Sequence, residues 1–161
     1  MSLTKQGTES LFKGKYQSIG VAKCVVGRCV MATRLIRGRT AVGRVTGKVV
    51  KNVDYGSEYC IDLTNGTALE PAAPFRYLNH ACEPNCELVL WKVPRDNKKF
   101  TLEVWIHSLR KIASGEELTI DYGWSASDAI PCQCQSANCR QWVVAAEELP
   151  LIKQRRRRMA K

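Results

Sequence analysis

The chain predicts a mainly β fold built from several small sheets, on three observations. Apolar residues fall in short β-branched runs, glycines punctuate those runs, and no stretch sustains a helical period over several turns. In chain order, residues 1–15 read as a loose polar lead-in. Residues 21–26 and 29–33 read as strands on either side of Gly27. Residues 41–50 alternate around Gly43 and Gly47, as a bent strand pair does. Residues 59–63 make another short strand. Residues 88–93 and 100–106 read as a hairpin whose loop, Pro94-Arg95-Asp96-Asn97-Lys98, is rich in turn formers. Residues 118–122 form the last short strand. Brief helical turns are expected at 74–78 and 145–149, and no internal repeat is evident.

A length of 161 residues suits one domain with one core. The composition, 45% apolar and 25% charged, is that of an ordinary globular protein, and no apolar stretch approaches the roughly 18 residues of a membrane span. Residues 1–16 are polar and lack the apolar core of a signal peptide. An intracellular protein is therefore expected, in the nucleus or on chromatin if eukaryotic, in the cytoplasm if bacterial. A reducing compartment bears on the eight cysteines. Cys132, Cys134 and Cys139 crowd into eight residues, which suits one metal better than three disulfide bridges. Cys24, Cys60 and Cys86 lack such spacing and read as core or surface thiols.

The net charge of +10 is uneven. Six of those charges lie in residues 153–161, leaving +4 for the rest. Two readings of this tail stay open on composition alone. It is a solvated segment, or an arm whose Arg155, Arg156, Arg157 and Arg158 neutralise nucleic-acid phosphates or serve as a nuclear localisation patch.

Three separated motifs carry the chemistry. They are Asn79-His80-Ala81-Cys82-Glu83-Pro84-Asn85, then Glu117-Leu118-Thr119-Ile120-Asp121-Tyr122, then Cys132-Gln133-Cys134-Gln135-Ser136-Ala137-Asn138-Cys139. In this order they resemble the paired signature of the SET-domain family followed by its post-SET zinc motif, over roughly residues 20–143. The resemblance implies methyl transfer from S-adenosylmethionine to a protein lysine. It also implies a SET-domain fold of several small sheets with a pseudoknot-like C-terminal crossing. The domain would occupy residues 16–125, the post-SET zinc segment 126–148 and the basic tail 149–161. No cysteine-rich pre-SET region precedes it.

Tyr122 matches the catalytic tyrosine of the family. Methyl transfer from a sulfonium is an in-line displacement, so alignment of a neutral lysine amine is the main task. A phenol oxygen suits that task, while a nearby sulfonium and an apolar channel disfavour the ammonium form. Tyr59 resembles a second active-site tyrosine on an inner strand, with core packing an equal rival. The Asn79-His80 pair matches residues that line the family's cofactor pocket, and Arg76 matches the basic residue preceding it. Gly27-Arg28-Cys29 resembles the Gly-x-Gly cofactor loop, with Cys29 where the second glycine usually stands. Trp142 suits stacking on adenine, walling the lysine channel, or packing of the post-SET segment. The resemblance assigns Cys82 as fourth ligand to a structural zinc beside Cys132, Cys134 and Cys139. Ile120 stands where many members have an aromatic residue, which implies room for more than one methyl group. Two rival functions remain: a SET-fold binding module without turnover, for which Cys29 speaks, and a zinc-stabilised nucleic-acid binder acting through the basic tail.

Overall fold

The computed structural model describes residues 16–51, 56–63, 66–94 and 100–152. The polar lead-in, the hairpin loop after Pro94 and the basic run at 153–161 lie outside these residues.

Twelve strands form four small sheets among the described residues. Strands β1 (Ile19–Cys24) and β2 (Gly27–Ala32) make a tight antiparallel hairpin. Val25 and Val26, expected within the first strand, form its exposed turn, and Gly27 at φ +113° closes it in a conformation that side chains rarely adopt. The predicted 41–50 pair separates into β3 (Ala41–Val45) and β4 (Gly47–Val50), which join different sheets. At Gly47 the paired backbones of β4 and β6 run so close that a Cβ would collide with the Glu70 carbonyl oxygen, so the position requires glycine. Strands β5 (Ile61–Asp62) and β6 (Ala68–Pro71) complete the β4-β6-β5 sheet. A 3₁₀ turn at Phe75–Tyr77 leads to the two-residue β7 (Asn79–His80).

The expected hairpin is longer than its apolar run. Strands β8 (Cys86–Pro94) and β9 (Phe100–Ser108) pair over nine residues each, from Cys86↔Ser108 to Pro94↔Phe100, and β3 adds to the other edge of β9. Strand β10 (Glu117–Ile120) then enters between two earlier strands. It is antiparallel to β2 and parallel to β7, giving the sheet order β1-β2-β10-β7. The chain finishes with β11 (Ile130–Pro131) paired to β12 (Trp142–Val143), then a 3₁₀ turn at Ala146–Glu148.

One core serves the three larger sheets. Val30, Ile106, Ile112 and Leu118 are fully buried in it, with Phe75 and Leu78 from the 3₁₀ turn. Sheets of two to four short strands are marginal alone, so shared burial is what stabilises each.

Asn85, one of the few buried polar residues, stitches the loop after β7 to β10. Its Nδ2 donates to the Glu117 carbonyl (2.7 Å) and to Glu116 Oε1 (3.0 Å), while its Oδ1 accepts from the Thr119 N–H (2.9 Å). Replacing Asn85 with Ala strands a buried carbonyl and a buried N–H. A stability loss of roughly 2–4 kcal/mol is expected in chemical denaturation, with the midpoint shifted and the slope unchanged.

Candidate functional site

A cavity of 1070 Å³ opens where the sheets meet. Its walls include Tyr59, Arg76, Asn79, Ile120, Tyr122 and Trp124, with Leu88 and Ile106 from the β8–β9 hairpin. Glu58, Asp62 and Asp128 also line it, and Arg76 is the one basic residue of the lining among the described residues.

Tyr122 lies two residues past the end of β10, so the β10–β7 pairing helps to set its position. Its hydroxyl donates to the Leu78 carbonyl at 2.9 Å and its backbone N–H donates to His80 Nδ1 at 3.2 Å. The ring packs against Trp124 and His80 at centroid distances of 5.2 and 5.5 Å. Burial pushes its pKa up to about 12, helped by the negative potential of Tyr59, Glu117 and Glu58. The phenol is therefore protonated at neutral pH. With its proton directed at Leu78, the oxygen presents lone pairs, which suits orienting an amine rather than acting as a phenolate base.

Tyr59 does not lie on an inner strand as expected. It sits in the turn closed by Cys60 N–H to Ser57 O (3.2 Å), 41% exposed, at the cavity rim. The strand shortens to β5 because the turn uses the residues before it. Arg76 carries its guanidinium 4.3 Å above the Tyr59 ring and reaches Glu70 at 3.3 Å and the Pro71 carbonyl at 3.4 Å. It thus braces the rim tyrosine and ties it to β6.

The structure brings Gly27, Arg28, Cys29 and Asn79 together. Asn79 Nδ2 lies 3.1 Å from the Arg28 carbonyl, 2.8 Å from Glu117 Oε1 and 3.6 Å from Cys24 Sγ. Arg28 itself turns to Tyr77, with Nη1 donating to the hydroxyl at 2.7 Å. Cys29 occupies an ordinary strand position and is 1% exposed. The residue that needs glycine is Gly27, with its positive φ, so the departure at position 29 leaves the loop backbone intact. Burial, Cys24 and Glu117 push the Cys29 thiol up to about 12.

His80 and Trp142 stand elsewhere than on the cavity. The His80 side chain is 4% exposed and bridges two sites. Because Nδ1 accepts from Tyr122 N–H, the ring proton belongs on Nε2, which faces Cys82 Sγ at 3.4 Å. Burial lowers its pKa, so the contact with the Asp121 carboxylate at 3.5 Å involves a neutral ring and is no true ion pair. Trp142, on β12, pairs its backbone with Pro131 and is absent from the cavity wall. The tryptophan that walls the cavity is Trp124, two residues past the catalytic candidate. That proximity in sequence was the available signal.

Cys82, Cys132, Cys134 and Cys139 bring their sulfurs within 4.8 Å of one another. The closer separations are 3.7 Å (Cys82–Cys132), 3.9 Å (Cys82–Cys139) and 3.6 Å (Cys134–Cys139). A regular tetrahedron with metal–sulfur bonds of ~2.3 Å has edges of about 3.8 Å, so the set fits one tetrahedral ion. Backbone N–H groups of Cys82, Arg140 and Gln141 point at Cys134, Cys82 and Cys139 sulfurs at 3.3–3.4 Å, which favours thiolates. All four cysteines are free of disulfides.

Further contacts clamp this segment to the body. Arg140 donates to both oxygens of Asp121 at 2.8 Å, next to Tyr122. Asn138 donates to Glu83 at 2.7 and 3.2 Å. The Ala145 N–H reaches the Trp124 carbonyl at 2.8 Å and Glu148 accepts from Ala126 N–H at 2.6 Å. No spacing rule pointed to Asp121 and Arg140, whose pairing depends on the four-cysteine cluster bringing residue 140 to β10.

A profile of the SET domain matches residues 27–123. The chain is 42% identical over 71 residues to histone-lysine N-methyltransferase trr of Drosophila melanogaster, covering 42% of this chain and 3% of that protein. It is 39% identical over 92 residues to histone-lysine N-methyltransferase 2D of Homo sapiens, covering 54% and 1% respectively. The chain thus spans a few per cent of the length of such relatives. Among solved structures, KRYPTONITE in complex with mCHH DNA, an H3(1-15) peptide and SAH superposes with a TM-score of 0.67, at 21% identity, over 78% of this chain and 29% of that one. At that identity the likeness establishes the fold.

Replacing Arg140 with Met removes the bidentate clamp while keeping the stem. Roughly 1–2 kcal/mol of stability should be lost, allowing for solvent screening at the partly exposed Asp121. Limited proteolysis should then cut within residues 126–148 several-fold faster than in the wild type.

Proposed function

The chain belongs to the SET-domain family, and we propose that it transfers methyl groups from S-adenosylmethionine to the ε-amine of a lysine in a protein substrate. The observation that carries this reading is Tyr122. It is a half-buried, protonated phenol on the cavity wall with its proton anchored on Leu78 and its lone pairs available.

The cavity volume and the lining by Asn79 suit a ligand of cofactor size. Asn79 offers both a donor and an acceptor to a zwitterionic group, beside the Gly27-Arg28 backbone. When bound there, S-adenosylmethionine supplies an electrophilic sulfonium methyl. The protein's own part is alignment and desolvation. Tyr122 accepts from the lysine amine and aims its lone pair. Trp124 and Ile120 exclude water and flank the aliphatic stem. Loss of the ammonium proton precedes attack and is favoured by the sulfonium charge and the apolar neighbours Ile120 and Trp124, against the pull of the acidic residues; Tyr122 need not hold that proton. Ile120, 7% exposed at the cavity, offers no hydroxyl to fix a water, which supports addition of more than one methyl. Tyr59 on its Arg76 brace guards the entrance.

The substrate reading follows from charge. Glu58, Asp62 and Asp128 make the cavity acidic on a chain of net charge +10. A lysine flanked by further cations is the complementary ligand. The curated relatives' names, histone-lysine N-methyltransferases, agree with such a substrate and with work in the nucleus. Zinc is our choice for the four-thiolate cluster, where it orders the C-terminal segment over the cavity.

Replacing Tyr122 with Phe tests the mechanism. Transfer of labelled methyl to a histone H3 peptide should fall about 100-fold in kcat, while calorimetric binding of S-adenosylmethionine stays within about twofold of wild type. Wild-type turnover in this variant would remove Tyr122 from the mechanism.

A further inference from the structure

A second set of soft donors lies apart from the four-cysteine cluster. Cys24 at the end of β1, Cys29 in β2 and Glu117 in β10 hold their ligand atoms within 4.8 Å of one another. The sheet explains why. In the β1–β2 register Cys24 faces Gly27 and Cys29 faces Ala22, so the two cysteines are diagonal neighbours on one face. Glu117 pairs with Met31, two residues along β2 from Cys29, and therefore projects from that same face.

The charge on this face is poorly compensated. No ion pair among the described residues neutralises Glu117, whereas its neighbour Glu116 is held by Arg110 at 2.6 Å. The Asn79 amide, with two hydrogens, confronts three acceptors: Glu117 Oε1, the Arg28 carbonyl and Cys24 Sγ. The Cys29 thiol is directed at the Ala22 carbonyl at 3.7 Å, so nothing but the Asn79 amide meets the Glu117 charge among the described residues, and a cation held by the two sulfurs would balance it.

We propose that Cys24, Cys29 and Glu117 form a second metal site, distinct from the four-cysteine cluster and selective for thiophilic divalent ions such as zinc or cadmium. Two thiolates and one carboxylate suit a borderline-soft ion and disfavour magnesium or calcium, which take oxygen ligands alone. A half-turn of the Asn79 amide, whose two ends are nearly equal in size, presents Oδ1 as a fourth ligand. Binding displaces the two thiol protons to solvent. Asn79 also belongs to the proposed cofactor pocket, so, granting the methyltransferase reading, metal at this site competes with S-adenosylmethionine.

The test uses the full chain with its four-cysteine cluster already filled with zinc. Titration with zinc against a chromophoric chelator, without cofactor, should show a second equivalent. Replacing Cys24 or Cys29 with Ala should weaken that equivalent at least ~10-fold and leave the first in place. Cys24 lies beside an exposed turn, so its variant decides the matter even if loss of the buried Cys29 disturbs folding. Saturation at one equivalent, or a second equivalent unchanged in Cys24→Ala, overturns the proposal. Because stoichiometry is read without cofactor, failure of the methyltransferase reading does not bear on it. Competition is measured separately, as cofactor affinity with and without the second equivalent.

Discussion

The position of Tyr122 depends on a chain of contacts that starts at a sulfur. Cys82 belongs to the four-cysteine cluster and lies 3.4 Å from His80 Nε2; the other nitrogen of that ring accepts the Tyr122 N–H. A ligand of the cluster is thus two bonded contacts from the backbone of the catalytic candidate. From the other side, residue 140, next to Cys139 of the cluster, clamps Asp121, the residue before Tyr122. The cluster therefore fixes both the loop under the tyrosine and the segment over it. His80 belongs to this linkage more than to ligand recognition.

The energetic reason for such a device is the smallness of the sheets. The segment after Tyr122 contributes only a two-stranded ribbon of two-residue strands, much of it exposed. Two paired strands alone are not independently stable. Metal binding in small thiolate modules is worth about 10–16 kcal/mol in isolated peptides, and under the proposed zinc assignment that stabilisation would be coupled to closing the cavity wall. Trp124 marks the junction: its ring lies on Tyr122 and its carbonyl accepts the Ala145 N–H.

Much of this was legible in the sequence. The mainly β character, the hairpin at 88–106 and the two helical turns came from pattern, the grouping of Cys132, Cys134 and Cys139 came from spacing, and Cys82 joined them through the family resemblance. Other features were hidden for physical reasons. Two-residue strands such as β7, β11 and β12 are too short for any period to register. Strand β6 follows no sharp alternation, and the split of 41–50 into two sheets shows only in the partners, β9 for β3 and β6 for β4. Tyr59 and Arg76 could be matched as motif residues, but their mutual stacking depends on tertiary placement. Trp142 was the tryptophan singled out from sequence, whereas the one that meets the cavity is Trp124; the β11–β12 pairing places Trp142 elsewhere.

The most direct test of the linkage is hydrogen exchange at two amides before and after the cluster is stripped of metal with a chelator. The account predicts that the Tyr122 and Ala145 N–H groups, bonded to His80 and Trp124, lose protection together and regain it on return of one equivalent of zinc. Full protection of Tyr122 in the metal-free protein would contradict it, showing that the tyrosine is held by β10 pairing alone.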